Sequence, residues 1–254
     1  TAGMEWGHFR DTPLWKKVYM GENYGVSSLD VARNGSVPLM MQWRRGQDKV
    51  ERVQQLGTLL ARMTSDGYNL LTTKGGGGLL DAGNMVSLQE ENKLVMLTSP
   101  LHRLPDADPK TTKSLQTTVG LFTLQDSPTW TLYVDGEPVE DYPVQLEAGR
   151  LITLHDGVSY VGLIPVPAKD LGRTDEVVIT DDTSERKLQG GGKAAPTLLI
   201  HSYNYKSDET LAQAGLSRDE IDMAYGGFVM EIGDQSEYGS FDALQNHMEN
   251  AVLE

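Results

Sequence analysis

The chain has 254 residues, of which 39% are hydrophobic and 23% are charged, as in a globular protein with one large or two small domains. It contains no cysteine, which excludes disulfides, thiolate metal sites and cysteine nucleophiles. The net charge of −14 argues against a nucleic acid partner, because such binding depends on neutralising phosphates. No apolar run is long enough to span a membrane, so we expect no membrane partner either.

The charge is distributed unevenly along the chain. Between Val31 and Met63 there are six basic residues against two acidic ones, whereas Lys206–Glu254 holds eleven acidic residues against two basic ones. The acidic tail is typical of a solvated face, and only a local basic patch would hold an anionic ligand. The chain begins at Thr1 and ends in a predicted helix, so we expect a piece of a longer protein. The absence of cysteine is compatible with bacterial export, and we expect a secreted or periplasmic protein.

The N-terminal third gives a mixed pattern. Residues 1–35 are rich in aromatic side chains and are predicted to be an irregular segment leading into the domain, and Ser36–Arg45 is predicted to be a strand. In Asp48–Met63, apolar residues recur at three- and four-residue spacing, which favours a helix. Gly57 and the preceding strand favour a long strand as the alternative.

The middle of the chain is predicted to be antiparallel sheet. Asp135-Gly136 and Asp156-Gly157 each follow a run rich in β-branched and aromatic residues. An Asp-Gly pair between two such runs is a strong hairpin signal, because both central residues of the tight turn need positive φ. Further strands are predicted at Met85–Gln89, Lys93–Thr98, Ser114–Leu124, Glu176–Thr180, Thr197–Tyr205 and Phe228–Ile232.

The C-terminal residues 240–254 are predicted to form a helix with Ser240 as its N-cap. Its apolar stripe must cover either the sheet or a neighbouring domain. The stripe consists of Phe241, Leu244, Met248 and Val252. Roughly a dozen strands with a few short helices predict one mainly β domain over residues 1–254, a large antiparallel two-sheet sandwich.

Three stretches carry a resemblance to a known family. They are Val18–Ser28, Arg150–Ile164, and Tyr225–Asp234 followed by Tyr238–Leu244, and together they cover about a fifth of the chain. They resemble the β-supersandwich domain of heparinase II/III-like and alginate-lyase-like polysaccharide lyases, which pair an α/α toroid with an antiparallel supersandwich. In those lyases a Tyr or His abstracts the C5 proton of a uronic acid, a neighbouring Asn, Arg or His neutralises the carboxylate, and the 4-linked sugar leaves by β-elimination.

The resemblance implies two partners, an acidic polysaccharide or oligosaccharide and a helical toroid domain of the same or another chain. The sequence has no series of long helices, so we expect catalysis to need the toroid. Two alternatives stay open: a non-catalytic carbohydrate-binding or scaffold domain, and a mutarotase-like sugar epimerase. The epimerase would need a His and a Glu facing each other across a concave sheet.

Proton abstraction beside a carboxylate needs a base, a group that neutralises the enolate and a proton donor. The candidate catalytic residues are Tyr24, Tyr19 and His102. The candidate substrate-binding residues are Asn23, Trp43, Arg44, Arg45, Arg103 and Tyr203. A phenol can serve only if a nearby cation lowers its pKa, and the alternative for Tyr24 is a tyrosine hydrogen-bonded at a sheet edge.

Two of these groups are predicted from local pattern. Trp43-Arg44-Arg45 combines a stacking face with guanidinium groups that bind carboxylate or sulfate in pairs of hydrogen bonds. His201, Tyr203 and Tyr205 alternate along a predicted strand, so we expect them to share one sheet face, either as a sugar platform or against a helix.

No cofactor is expected, and no common metal-binding motif is present. A structural divalent metal is the alternative. The sequence offers His155, Asp156 and His201 as ligands if they converge, or the carboxylates of Asp181-Asp182 or of Asp106 and Asp108.

Overall fold

A computed structural model describes residues 14–31, 35–45, 53–65, 85–98, 109–124, 130–166, 175–182, 186–187, 193–222 and 224–251. The strands are β1 (Leu14–Met20), β2 (Tyr24–Val31), β3 (Gly35–Arg45), β4 (Val53–Ser65), β5 (Met85–Glu90), β6 (Lys93–Thr98), β7 (Ser114–Leu124), β8 (Thr131–Val134), β9 (Glu137–Pro138), β10 (Val144–Glu147), β11 (Ile152–His155), β12 (Ser159–Val166), β13 (Glu176–Asp182), β14 (Arg186–Lys187), β15 (Lys193–Lys206) and β16 (Gly226–Asp234). The helices are α1 (Arg218–Asp222), α2 (Gln235–Tyr238) and α3 (Phe241–Glu249).

The strands form two antiparallel sheets, which confirms the predicted mainly β architecture with a few short helices. The nine-stranded sheet has the order β1-β2-β3-β4-β7-β15-β13-β10, with β14 paired to β15. The seven-stranded sheet has the order β5-β6-β16-β12-β11-β8-β9. Within the described ranges, no helix is long and apolar enough to cross a membrane.

One core fills the space between the sheets. Alternate residues of each strand point inward, because successive side chains of a strand lie on opposite faces. The nine-stranded sheet contributes Tyr24, Val26, Val119, Leu121, Val177, Ile179, Leu198 and Ile200. The seven-stranded sheet contributes Leu94, Met96, Leu132, Ile152, Leu154, Val161, Leu163, Phe228, Met230 and Ile232.

Helix α3 covers part of the outer face of the seven-stranded sheet. Ser240 is its N-cap, as predicted, with its Oγ accepting a hydrogen bond from the amide of Ala243 at 3.2 Å. Leu244 and Met248 are buried against Leu151 and Ile164. The apolar stripe therefore covers this sheet. The helix ends at Glu249, five residues earlier than predicted, and Val252 lies outside the described residues.

Two N-terminal predictions are wrong. Residues 14–31 are not irregular, since β1 and β2 pair along their full length from Leu14↔Val31 to Met20↔Gly25. Val53–Ser65 is a strand, because β4 pairs with β3 on one side and β7 on the other, so the favoured helix is wrong and the alternative of a long strand is confirmed. These long-range hydrogen bonds override a local spacing that matched a helix.

The two Asp-Gly hairpins form, but by different turns. Asp135 and Gly136 have φ of 48° and 84°, as the tight turn requires. At the second hairpin only Gly157 has positive φ, at 82°, so the prediction of two such residues is wrong there. Asp156 Oδ1 instead accepts hydrogen bonds from the amides of Val158 and Ser159, which stabilises a longer loop.

Candidate functional site

The turn between β1 and β2 meets the end of β16 at the edge of the sandwich. Gly21 opens this turn, and a side chain there would overlap the ring of Tyr24. Asn23 donates two hydrogen bonds to Asp234 Oδ2, from its backbone amide at 3.2 Å and from Nδ2 at 3.1 Å. Asp234 is also the N-cap of α2, accepting from the amide of Ser236 at 2.8 Å. One carboxylate therefore anchors the turn to α2.

Glu237 of α2 holds the two candidate tyrosines. The Tyr19 hydroxyl group donates to Oε1 at 2.6 Å, and the Tyr24 hydroxyl group lies 2.6 Å from Oε2. The Tyr24 oxygen is also 3.0 Å from the carbonyl oxygen of Ile232, which accepts from Asn92 Nδ2 at 2.7 Å. A phenol has a single proton, and the ionised acceptor takes it in preference.

Both phenols stay protonated at neutral pH. The hydrogen bond to Glu237 and partial burial raise the pKa of Tyr19 to about 12. Burial, followed by the hydrogen bond to Glu237, raises the pKa of Tyr24 far above its ordinary value. Both groups are therefore proton donors at neutral pH, and neither is a phenolate base. Among the described residues, no cation contacts either hydroxyl group.

Accessibility separates the two tyrosines. Tyr24 is 0% exposed and belongs to the core between the sheets, whereas Tyr19 is half-buried. Their rings lie 6.2 Å apart. Tyr19 can therefore reach a ligand in the observed conformation, and Tyr24 cannot.

The charge of Asp234 is stabilised by its partners. Burial alone would raise the pKa of this carboxyl group, but the hydrogen bonds from Ser236 and Asn23 outweigh burial and lower it below its ordinary value of 3.8.

A second carboxylate lies on the outer face of β16. Glu231 Oε1 accepts a short hydrogen bond from the Tyr238 hydroxyl group. The same oxygen lies 3.2 Å from His247 Nε2 and 3.7 Å from Lys93 Nζ. Asn92 Nδ2 donates to the Tyr238 oxygen at 3.0 Å and also to the carbonyl oxygen of Ile232. One amide therefore links these residues to the hydrogen bonds around Tyr24 and Glu237. We call Glu231, Tyr238, His247 and Lys93 the Glu231 cluster.

Apart from Tyr203, the predicted site residues divide into those that meet and those whose side chains are not described. Tyr19, Asn23 and Tyr24 lie together on the turn and its flanking strands. His102 and Arg103 lie outside the described residues. The run 43–45 belongs to β3, paired with β4 after a register shift between Gln42 and Trp43.

The predicted platform of three rings on β15 is wrong. Tyr203 pairs with Gln116 and Tyr205 with Leu115, so the register shifts by one residue between them. Such a bulge resets the alternation of faces. Tyr205 packs into a small cluster with Leu115 and Leu211, whereas Tyr203 is half-buried with Lys206 Nζ 4.6 Å from its ring centroid.

His155 and His201, which the sequence offers as metal ligands if they converge, lie on different sheets. His155 lies on the outer face of the seven-stranded sheet, 4.5 Å from the Phe241 ring. His201 lies on the outer face of the other sheet, where its Nδ1 is 2.9 Å from Thr118 Oγ1. In the part of the chain that the structure describes, no three potential ligands converge on a metal site.

Sequence reasoning did not select Glu237, Asp234, Glu231 and His247. The sequence carries a partial signal for the start of α2, because Asp234 and Glu237 have the spacing of an N-cap and the third residue of a helix. Glu231 lies on a strand and His247 on a helix, so no short sequence pattern predicts that they pair.

Comparisons with protein-family models, curated proteins and solved structures find no match to this chain.

Proposed function

We propose that this chain is the β-sandwich domain of a carbohydrate-active, polysaccharide-lyase-like protein that acts on uronic-acid-containing glycans by β-elimination. A helical toroid domain of the same or another chain supplies the groups that the sandwich lacks.

The observation that carries the proposal is the meeting of the three resembling stretches. Val18–Ser28 provides the turn, Tyr225–Asp234 and Tyr238–Leu244 provide β16 and the residues around α2 and α3, and Arg150–Ile164 provides β12, which pairs with β16 from Ser159↔Asp234 to Ile164↔Val229. Stretches that are distant in the sequence thus form one continuous structural unit. The stretches on which the resemblance rests therefore lie against one another in this chain, which supports the proposal.

The electrostatics of the turn support the expectation of a second domain. β-Elimination requires a cation or hydrogen-bond donors on the uronate carboxylate, and a base for the C5 proton. The described turn holds two carboxylates, those of Asp234 and Glu237, which disfavour an anionic sugar, and its one accessible phenol, Tyr19, is protonated and can only donate. The base and the neutralising cation must come from other residues, such as His102 and Arg103, or from the toroid.

The burial of Tyr24 favours a second candidate, a non-catalytic carbohydrate-binding or scaffold domain. In that case the tyrosine–Glu237 network serves only to join the two sheets. The epimerase has weaker support, because Glu231 and His247 contact each other directly and leave no gap for a sugar ring between them.

The test is incubation of the purified chain with alginate, heparin, chondroitin sulfate and pectin. Binding is measured by affinity electrophoresis, and cleavage by the ultraviolet absorbance of the unsaturated uronate product. We expect the chain to bind at least one of these glycans, in preference to neutral dextran, without cleaving it. Binding to none of the four would contradict the proposal. Cleavage by the chain alone would contradict the requirement for a second domain.

A matched pair of variants locates the binding. Arg44→Ala combined with Arg45→Ala is expected to weaken retention on the bound glycan. Arg150→Ala is the control, because Arg150 is exposed beside β11 of the other sheet and pairs with Asp135. Equal loss of retention in both variants would show nonspecific charge attraction.

A further inference from the structure

An open groove of about 510 Å³ lies between the C-terminal end of α3 and the outer face of β5, β6 and β16. Its volume is within the range of small-molecule sites. Its floor is aliphatic, formed largely by Leu88, Val95 and Val229. Leu88 is 67% exposed and Val95 is 38% exposed, so apolar surface faces solvent in this groove.

The polar wall of the groove is Glu231, whose side chain is only 8% exposed. Its contacts with Tyr238, His247 and Lys93 all go to Oε1. Within the described residues, no donor contacts Oε2. A carboxylate held rigidly through one oxygen can therefore accept a hydrogen bond from a ligand through the other.

The charges around the groove select against ionic ligands. Glu90 and Glu231 repel an anion, and Lys93 already pairs with the Glu231 carboxylate, which weakens the attraction of this carboxylate for a cation. The preferred ligand is neutral, donates a hydrogen bond and has an apolar face. A pyranose ring has these properties, since its hydroxyl groups lie at the rim and its C–H groups form an apolar face.

We propose that this groove binds a neutral sugar residue, with a ring hydroxyl group donating to Glu231 Oε2 and the C–H face of the ring lying on Leu88 and Val95. Asn250 at the rim provides an amide for a second hydroxyl group. The choice of a sugar among neutral hydroxyl ligands rests on the proposed carbohydrate-active function. The groove is separate from the Tyr19–Glu237 turn and would hold an uncharged unit of the glycan.

The test is saturation-transfer NMR of the full chain with three methyl β-glycosides that differ in one group: the glucoside, the glucuronide and the glucosaminide. Methyl β-galactoside and methyl β-mannoside extend the neutral set, and trans-1,2-cyclohexanediol serves as a neutral diol that is not a sugar. We expect saturable binding of at least one neutral glycoside, tighter than both charged analogues and the diol. Absence of neutral glycoside binding, or equal or tighter binding of a charged analogue or the diol, would overturn the proposal.

Variants assign the binding to the groove. Glu231→Gln and Leu88→Glu are each expected to weaken binding by about tenfold, because one removes the ionised acceptor and the other places a charge on the apolar floor. Leu88 is exposed, so Leu88→Glu keeps the test valid if Glu231→Gln fails to fold. Val18→Glu is the matched control, because Val18 is also an exposed apolar residue on an edge strand.

Unchanged binding in Leu88→Glu would overturn the assignment to this groove. The result is independent of the lyase proposal, since it uses neither uronate polymers nor the arginine pair of β3. If the chain binds a neutral sugar but none of the four uronic-acid glycans, the lyase proposal alone is contradicted. If the chain binds those glycans but no neutral sugar, the groove proposal alone is contradicted.

Discussion

The hydroxyl group of Tyr24 lies 2.6 Å from Glu237 Oε2, across the boundary between the two sheets. Tyr24 begins β2 of the nine-stranded sheet, and Glu237 follows β16 of the seven-stranded sheet. The phenol is buried and the carboxylate is exposed, so the pair closes the edge of the core while leaving the charge in water. The candidate catalytic tyrosine is therefore also a structural link.

Tyr24→Phe is expected to destabilise the fold by about 2 kcal/mol, because it removes a buried hydrogen bond to an ionised acceptor. Tyr19→Phe is expected to cost less than about 1 kcal/mol, because Tyr19 is half-buried and water can replace its hydroxyl group. Urea unfolding followed by tryptophan fluorescence measures both. Equal losses would contradict the different roles assigned to the two tyrosines.

Asp234→Asn is expected to reduce stability at neutral pH by about 1 kcal/mol, since asparagine keeps the N-cap but loses the charge. The pKa of Asp234 is lowered in the folded state, so its contribution is present above the ordinary value of 3.8 and is lost as the pH falls through the folded-state pKa. The two proteins should therefore converge in stability in acid. Unfolding curves between neutral pH and about pH 2 check this. A stability difference that persists undiminished at the acidic end would contradict it.

His201 adds a pH dependence of the same sign in a different pH window. Burial lowers the pKa of His201 from 6.5 to about 4, so between these values the unfolded chain binds a proton that the folded chain does not. Stability should fall as the pH falls from 6.5 towards 4, with no further loss from this residue below that. His201→Gln should flatten this part of the stability profile. A slope unchanged in the variant would assign the pH dependence to other groups.

Two glycines of the seven-stranded sheet should respond differently to alanine. A methyl group at Gly227 would overlap the carbonyl oxygen of Met96 on the neighbouring strand, where only backbone movement could relieve it. At Gly162 the nearest atom is Met248 Cγ at 2.8 Å, which belongs to a flexible side chain. We expect a loss of at least about 3 kcal/mol for Gly227→Ala and about 1 kcal/mol for Gly162→Ala, by chemical denaturation. A smaller loss at Gly227 would contradict the close strand approach there.

Much of the fold could be predicted because it is encoded locally. Asp135-Gly136 has the side chains that tolerate positive φ, and the turn forms as predicted. Ser240 has the hydroxyl group that caps α3. The strands over Lys93–Thr98 and Ser114–Leu124 have the predicted bounds, since alternation and turn residues mark both ends.

The candidate site could be predicted only in part. Tyr19, Asn23 and Tyr24 are neighbours in sequence, so one motif was enough to select them. Their partners, Glu237 for the two tyrosines and Asp234 for Asn23, lie more than two hundred residues further along the chain.

The sequence by itself determined the antiparallel class, the first hairpin turn and the cap of the last helix, because each depends on residues within a few positions of one another. Only the tertiary structure decided that β4 is a strand, that Tyr205 turns away from Tyr203, and that Glu231 meets His247. Each of these depends on pairing or packing between distant segments, whose free energy outweighs the local preference and leaves no signal in a short window of sequence.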